Sequence, residues 1–171
     1  MKTILFGLLI VGVVAACQSD VPPQGAGSAE VNGKPWVASQ VTCRANTSCY
    51  KGRLGLGLDG LLSSGITETI FFHKVPKRVG FYQIPLSNNA AICEDTLINS
   101  NFHTTIGGDA VKDSYKSIDS PANYLQITDI NLKTGEIRGR FAVTYAIYKP
   151  YYPVSPDTIR VKNGQFKAWI R

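Results

Sequence analysis

Residues 136–148, Glu-Ile-Arg-Gly-Arg-Phe-Ala-Val-Thr-Tyr-Ala-Ile-Tyr, put Ile137, Phe141, Val143, Tyr145 and Ile147 on one side of an extended chain. Glu136, Arg138, Arg140, Thr144 and Tyr148 fall on the other side. A repeat of two is what a strand carries when one face meets a core and the other meets water, because successive side chains point in opposite directions. The repeat recurs in residues 53–59, where Leu54, Leu56 and Leu58 alternate with Arg53, Gly55, Gly57 and Asp59. Residues 67–74, 81–84 and 124–130 are further β-rich runs. In residues 158–162, Ile159 and Val161 alternate with Arg160 and Lys162.

No stretch of a dozen residues carries a helical period, and Gly, Asn and Pro punctuate the runs at short intervals. This pattern predicts an all-β fold, an antiparallel β-sandwich or a lipocalin-like barrel. Residues 131–136 turn the run 124–130 back onto 137–148 as a hairpin, and Asn163-Gly164 supplies either a tight turn or a bulge.

The amino terminus has a different character. Lys2 precedes an uncharged run, residues 4–16, that ends Val14-Ala15-Ala16 directly before Cys17. The run is shorter than the about 20 apolar residues that cross a bilayer, and with small residues after it, it reads as a cleaved export signal. The Val-Ala-Ala-Cys step resembles the lipobox of bacterial lipoproteins. That resemblance implies a signal peptide over residues 1–16 and a mature chain that begins at Cys17, acylated on its thiol. Acyl chains at about 0.8 kcal/mol per buried CH₂ anchor such a chain durably. In the sorting rule of proteobacterial lipoproteins, an aspartate beside the cysteine retains the protein at the inner membrane. Gln18 stands there, so the outer membrane is the expected address, with the periplasmic or surface face left open.

Residues 17–29 continue Cys-Gln-Ser-Asp-Val-Pro-Pro-Gln-Gly-Ala-Gly-Ser-Ala, without an aromatic side chain. Such a stretch reads as a flexible lipidated tether of roughly 20 Å. Residues 30–171 are then a single all-β domain, long enough to bury about 70% of its unfolded surface and to fold without metal or disulfide, and no cofactor is expected. Of 18 lysines and arginines Lys2 belongs to the signal, so 17 basic side chains face 12 acidic ones, a net of +5. This excess favours anionic neighbours, but no arginine-rich block or nucleic-acid module accompanies it, and no nucleic-acid partner is expected.

With Cys17 lipidated, Cys43, Cys49 and Cys93 remain, an odd number for an oxidising compartment. Cys43 and Cys49 flank the polar segment Arg44-Ala45-Asn46-Thr47-Ser48 and suit a disulfide across a hairpin end, worth about 2–3 kcal/mol. Pairing of either with Cys93 is the alternative. No Cys/His spacing suggests zinc.

Catalytic frames are sparse. His73 and His103 are the two histidines, and His73 reads as a strand-end residue rather than a base. There is no Gly-x-Ser-x-Gly elbow, zinc helix or phosphate loop. Glu68, Glu94, Asp95 and Asp109 sit in no recognisable frame, and residues 107–113 lack the EF-hand ligand spacing and read as a polar loop. The chain is therefore read as a binding module rather than an enzyme, with unrecognised paired carboxylates of a hydrolase as an alternative.

Two surface features stand out. Residues 149–157 place Tyr151 and Tyr152 among three prolines, an arrangement suited to sugar or protein contact. Arg138, Arg140, Arg160 and Lys162 share one sheet face if their strands are neighbours, a basic stripe able to meet lipid phosphates or an acidic partner. Asp95-Thr96-Leu97 and Asp157-Thr158-Ile159 also resemble the three-residue acceptor of Bacteroidota protein O-glycosylation, which implies Thr96 or Thr158 at the surface.

Spaced blocks across the mature chain carry a wider resemblance. They are Asn32-Gly33-Lys34-Pro35-Trp36-Val37-Ala38, Val79-Gly80-Phe81-Tyr82, Tyr124-Leu125-Gln126-Ile127-Thr128, Gly135-Glu136-Ile137-Arg138-Gly139-Arg140-Phe141 and Ile159-Arg160-Val161-Lys162-Asn163-Gly164-Gln165-Phe166. In order and spacing they resemble a family of small all-β lipoproteins of the Bacteroidota, a domain of unknown function. The resemblance implies a fold and an envelope address, and it brings no catalytic or ligand residues. The expected function is binding of a carbohydrate, lipid or envelope protein by a membrane-anchored β module, or a structural accessory role in an outer-membrane complex.

Overall fold

The computed structural model describes residues 24–46, 51–86, 97–107, 110–150 and 155–171. They form eleven strands: β1 (Ala26–Val31), β2 (Lys34–Val37), β3 (Gln40–Ala45), β4 (Arg53–Leu61), β5 (Ile66–Pro76), β6 (Gly80–Gln83), β7 (Asn99–Ile106), β8 (Ala110–Ser117), β9 (Tyr124–Asn131), β10 (Glu136–Pro150) and β11 (Thr158–Trp169). All strand pairs are antiparallel, and the order is β2-β1-β11-β10-β8-β7-β5-β4-β3, with β9 on β10 and β6 on β9.

The long strand β10 organises the molecule. One of its edges pairs with β11, while the other pairs first with β9, through residues 136–142, and then with β8, through residues 145–150. β10 thus belongs to two halves that face each other, one with β2, β1, β11, β9 and β6 and the other with β8, β7, β5, β4 and β3. Phe72 from β5 meets Phe141 from β10 edge-on at 5.2 Å between centroids, and Phe102 from β7 lies 5.8 Å from Tyr145. Burying each such side chain contributes about 1.5–3 kcal/mol.

Two polar clusters in this interior are paired, as burial requires. The Tyr145 hydroxyl shares a 2.7 Å hydrogen bond with Ser100 Oγ. Asn123, fully buried, donates from Nδ2 to the Ile118 carbonyl at 2.7 Å and accepts from the Thr144 amide at 2.9 Å.

The sheet stays open, so of the two expected architectures the sandwich-like one forms and the closed barrel does not. The end strand β3 and the tail of the chain come close without a continuous ladder. The tail of β11 meets β3 through the Cys43–Ile170 bridge and reciprocal bonds between Cys43, Ala45 and Arg171, each 2.9 Å.

Two sequence expectations change and a third is decided between its alternatives. Residues 26–29, read as tether, belong to β1. Their small side chains serve close approach, since a Cβ on Gly27 would stand 2.7 Å from Leu58 Cδ2. The stretch read as a polar loop, residues 107–113, holds the first half of β8, paired with β7. Asn163-Gly164 is a bulge inside β11, with Asn163 at φ 52°, and makes no turn.

Candidate functional site

Strand register builds a pocket at one end of the sheet. Ile70, Phe102 and Tyr115 lie side by side across β5, β7 and β8 and form an apolar rung. One step outward the same strands align Glu68, Thr104 and Asp113, and β4 adds Gly60 opposite Glu68. Two strand spacings of 4.7–4.9 Å put the Cα atoms of Glu68 and Asp113 about 10 Å apart. The β1–β2 hairpin brings Trp36 over Gly60, where an added Cβ would meet the indole at 2.5 Å. The resulting cavity has a volume of about 460 Å³, with Lys34, Lys112, Ser64 and Pro156 also on its wall.

The two carboxylates differ in surroundings. Asp113 is buried and accepts hydrogen bonds from Ser155 Oγ at 2.7 Å and Thr104 Oγ1 at 3.4 Å. Burial pushes Glu68 above the usual carboxylate range, and the neighbouring Trp36 indole N–H pulls it partly back. The indole N–H acts on the Glu68 carboxyl without meeting it in hydrogen-bond geometry, so Trp36 Nε1 stays buried and unsatisfied in a residue only 5% exposed. Leaving a buried donor unmade costs about 1–3 kcal/mol, so this N–H is a stored demand for an acceptor. Burial, followed by the Asp113 charge, pushes the Tyr115 hydroxyl up to about 12. Tyr115 therefore stays a neutral hydroxyl.

The basic stripe has a different setting. Arg138, Arg140, Arg160 and Lys162 all lie on the outer face of the adjacent strands β10 and β11. They do not converge. Arg138 pairs across to Lys167 and Arg140 to Gln165, whereas Arg160 sits farther along opposite Thr144 and Lys162 opposite Glu30 of β1. Glu136 binds Arg138 at 2.6 Å and Lys167 at 3.4 Å, and the Arg138 hydrogen bond holds its carboxyl below the usual range. An open trough of about 600 Å³ crosses this face beside Arg138, Arg140 and Lys167. Glu136 answers two of its three cations, and all three face water, whereas the end pocket is walled and holds an unmet donor. The pocket is the better candidate.

His73 and His103 lie outside the pocket. His73 lies tilted against Phe71 with ring centroids 4.3 Å apart and meets Asn101 at 3.3 Å, and burial followed by the Lys74 charge lowers its basicity. Burial also lowers His103, with Asp59 opposing. Cys43 is a buried free thiol, and Thr158 is half-buried at the start of β11. Cys17, Cys49, Cys93, Thr96, Tyr151 and Tyr152 lie outside the described residues, so the lipidation, disulfide and tyrosine-loop expectations fall there. Among the described residues no three His, Cys, Asp or Glu side chains cluster as metal ligands.

Sequence reasoning saw Glu68 as unframed and did not single out Trp36, Asp113 or Tyr115 for the site. The available signal was the period of two. It places Glu68 on the same face as Ile70 and Phe72, and Asp113 on the same face as Tyr115, so each is a charge on an inward-facing row. No protein family, curated protein or solved structure matches the chain.

Proposed function

We propose that this chain is a lipid-anchored module of the cell envelope that binds a small ligand in the pocket beneath Trp36. The observation that carries the reading is a walled cavity of about 460 Å³ with aromatic lining, convergent polar groups and an unmet buried donor. That combination distinguishes ligand pockets from surface grooves. The lipobox at Cys17, and Gln18 in the position that favours the outer membrane, supply the address. The spaced blocks that resemble Bacteroidota lipoproteins agree with that address.

Two measurements test this. Alkyne-palmitate should label the wild-type chain and leave Cys17→Ala unlabelled; equal labelling removes the anchor. Mass spectrometry of protein isolated from envelopes should find a compound retained by wild type and lost from Ser64→Trp, which fills the mouth. Identical profiles remove the pocket.

A second reading, hydrolysis of a bound glycoside, draws on the placement of Glu68 and Asp113 on one rung. A separation of about 6.5–9.5 Å between carboxyl groups leaves room for an attacking water. It predicts release of reducing sugar from envelope glycans that Glu68→Gln abolishes while retaining ligand.

A further inference from the structure

Trp36 and Glu68, both on the pocket wall, make opposite demands on a ligand. The indole N–H is buried, unpartnered and only a donor. Glu68 beside it offers carboxyl oxygens, and Asp113 stands at the far end of the same rung, itself held by Thr104 and Ser155.

A ligand group that satisfies both must accept from the indole and donate to a carboxylate. A hydroxyl does both at once. A carboxylate or phosphate only accepts, and would face two acidic side chains. An ammonium only donates, leaving the indole N–H unmet, and would face Lys34 and Lys112 on the wall. The two acids and the two lysines cancel in formal charge, which disfavours any net-charged ligand. The rings of Phe102 and Tyr115 on the wall offer apolar surface to carbon-bound hydrogens of a ring.

We infer that the pocket recognises a neutral saccharide, with one sugar hydroxyl bridging Trp36 Nε1 and the Glu68 carboxyl. This rests on the pocket reading above and specifies its ligand class. Trp36 is the donor that positions the sugar, and Glu68 is the acceptor that selects a hydroxyl over an anion.

The test uses the mature chain as isolated from envelopes, titrated by calorimetry and ligand-detected NMR. The probes are glucose, galactose, mannose and N-acetylglucosamine with their short oligomers, against choline, acetate and inorganic phosphate. Saturable binding of at least one saccharide is expected, with Trp36→Phe weakening it about tenfold while keeping a ring in the same place. Glu68→Ala, which retains the indole, should weaken the same sugar by a similar factor. Melting curves of both variants establish that they fold. Equal sugar binding by Trp36→Phe overturns the bridge. If choline, acetate or phosphate binds instead and Ser64→Trp blocks it, the saccharide class is wrong while the pocket stands. If no probe binds and no envelope compound is retained, class and pocket fall together.

Discussion

Replacing Gly60 with alanine tests fold and site in one step. The new Cβ would stand 2.5 Å from Trp36 Cε2 and Nε1 and 2.6 Å from Cζ2. Carbon atoms rest about 3.5–4.0 Å apart, so the indole must retreat by about 1 Å or more from the roof of the pocket. Overpacking of this kind costs about 1–3 kcal/mol. The lost freedom of the unfolded chain returns about 0.4–1 kcal/mol, leaving a net destabilisation centred on about 1.3 kcal/mol. At about 2–4 °C per kcal/mol for a domain of this size, the melting point should fall by about 3–5 °C. Trp36 and Trp169 are the two tryptophans, so a Trp169→Phe background isolates the Trp36 emission, which should shift as the ring moves. Gly33→Ala is the control. At φ +77 with nothing within 4 Å of the added Cβ, it should cost about 1–2 kcal/mol through backbone strain alone and leave the emission in place. If Gly60→Ala melts with wild type and emits at the same wavelength, the seating of Trp36 on Gly60 is refuted.

Further outcomes follow from the interior. Because Glu68 titrates above its ordinary value in the folded state, the stability linked to its proton is complete below the unfolded carboxylate range, about 4.3, and is lost as pH rises through the folded value. Glu68→Gln should therefore gain stability relative to wild type as pH is raised from 4 to 7; a pH-independent difference in thermal melting contradicts this. Asn123→Ala strands the Ile118 carbonyl and the Thr144 amide and should cost about 2–4 kcal/mol, read from the urea midpoint at unchanged m-value. Cys43 is 1% exposed, and burial pushes its thiol up to about 12, with Lys77 opposing. In a Cys49→Ser/Cys93→Ser background it should resist thiol reagents at pH 8 until denaturant opens the fold, and prompt labelling in buffer overturns its burial.

Much of the strand pattern was legible because its signal is local. Residues 53–59 and 137–148 alternate strongly, and they lie in β4 and β10 with Leu54, Leu56, Leu58, Phe141, Val143 and Tyr145 buried. β7 and β8 were missed for a physical reason that also concerns the site. Their inward rows carry Ser100, Phe102 and Thr104, and Asp113, Tyr115 and Ser117. The polar members hydrogen-bond in the interior or line the pocket, so hydropathy does not alternate where the chain does. β1 was cut short because glycine and alanine carry the composition of a linker whether they lie free or allow close packing, as Gly27 does against Leu58.

What the sequence determined by itself is which side of each strand a residue takes, since covalent geometry turns successive side chains to opposite faces. The expected anchor at Cys17 rests on local pattern in the same way. Tertiary structure alone decided which strands are neighbours and in what register. That choice brings Trp36 over Gly60 and lines up Glu68, Thr104 and Asp113. Register is selected by the burial of the whole sheet, where a one-residue slip would turn every core side chain to water. A site assembled from single residues on separate strands therefore leaves no motif along the chain.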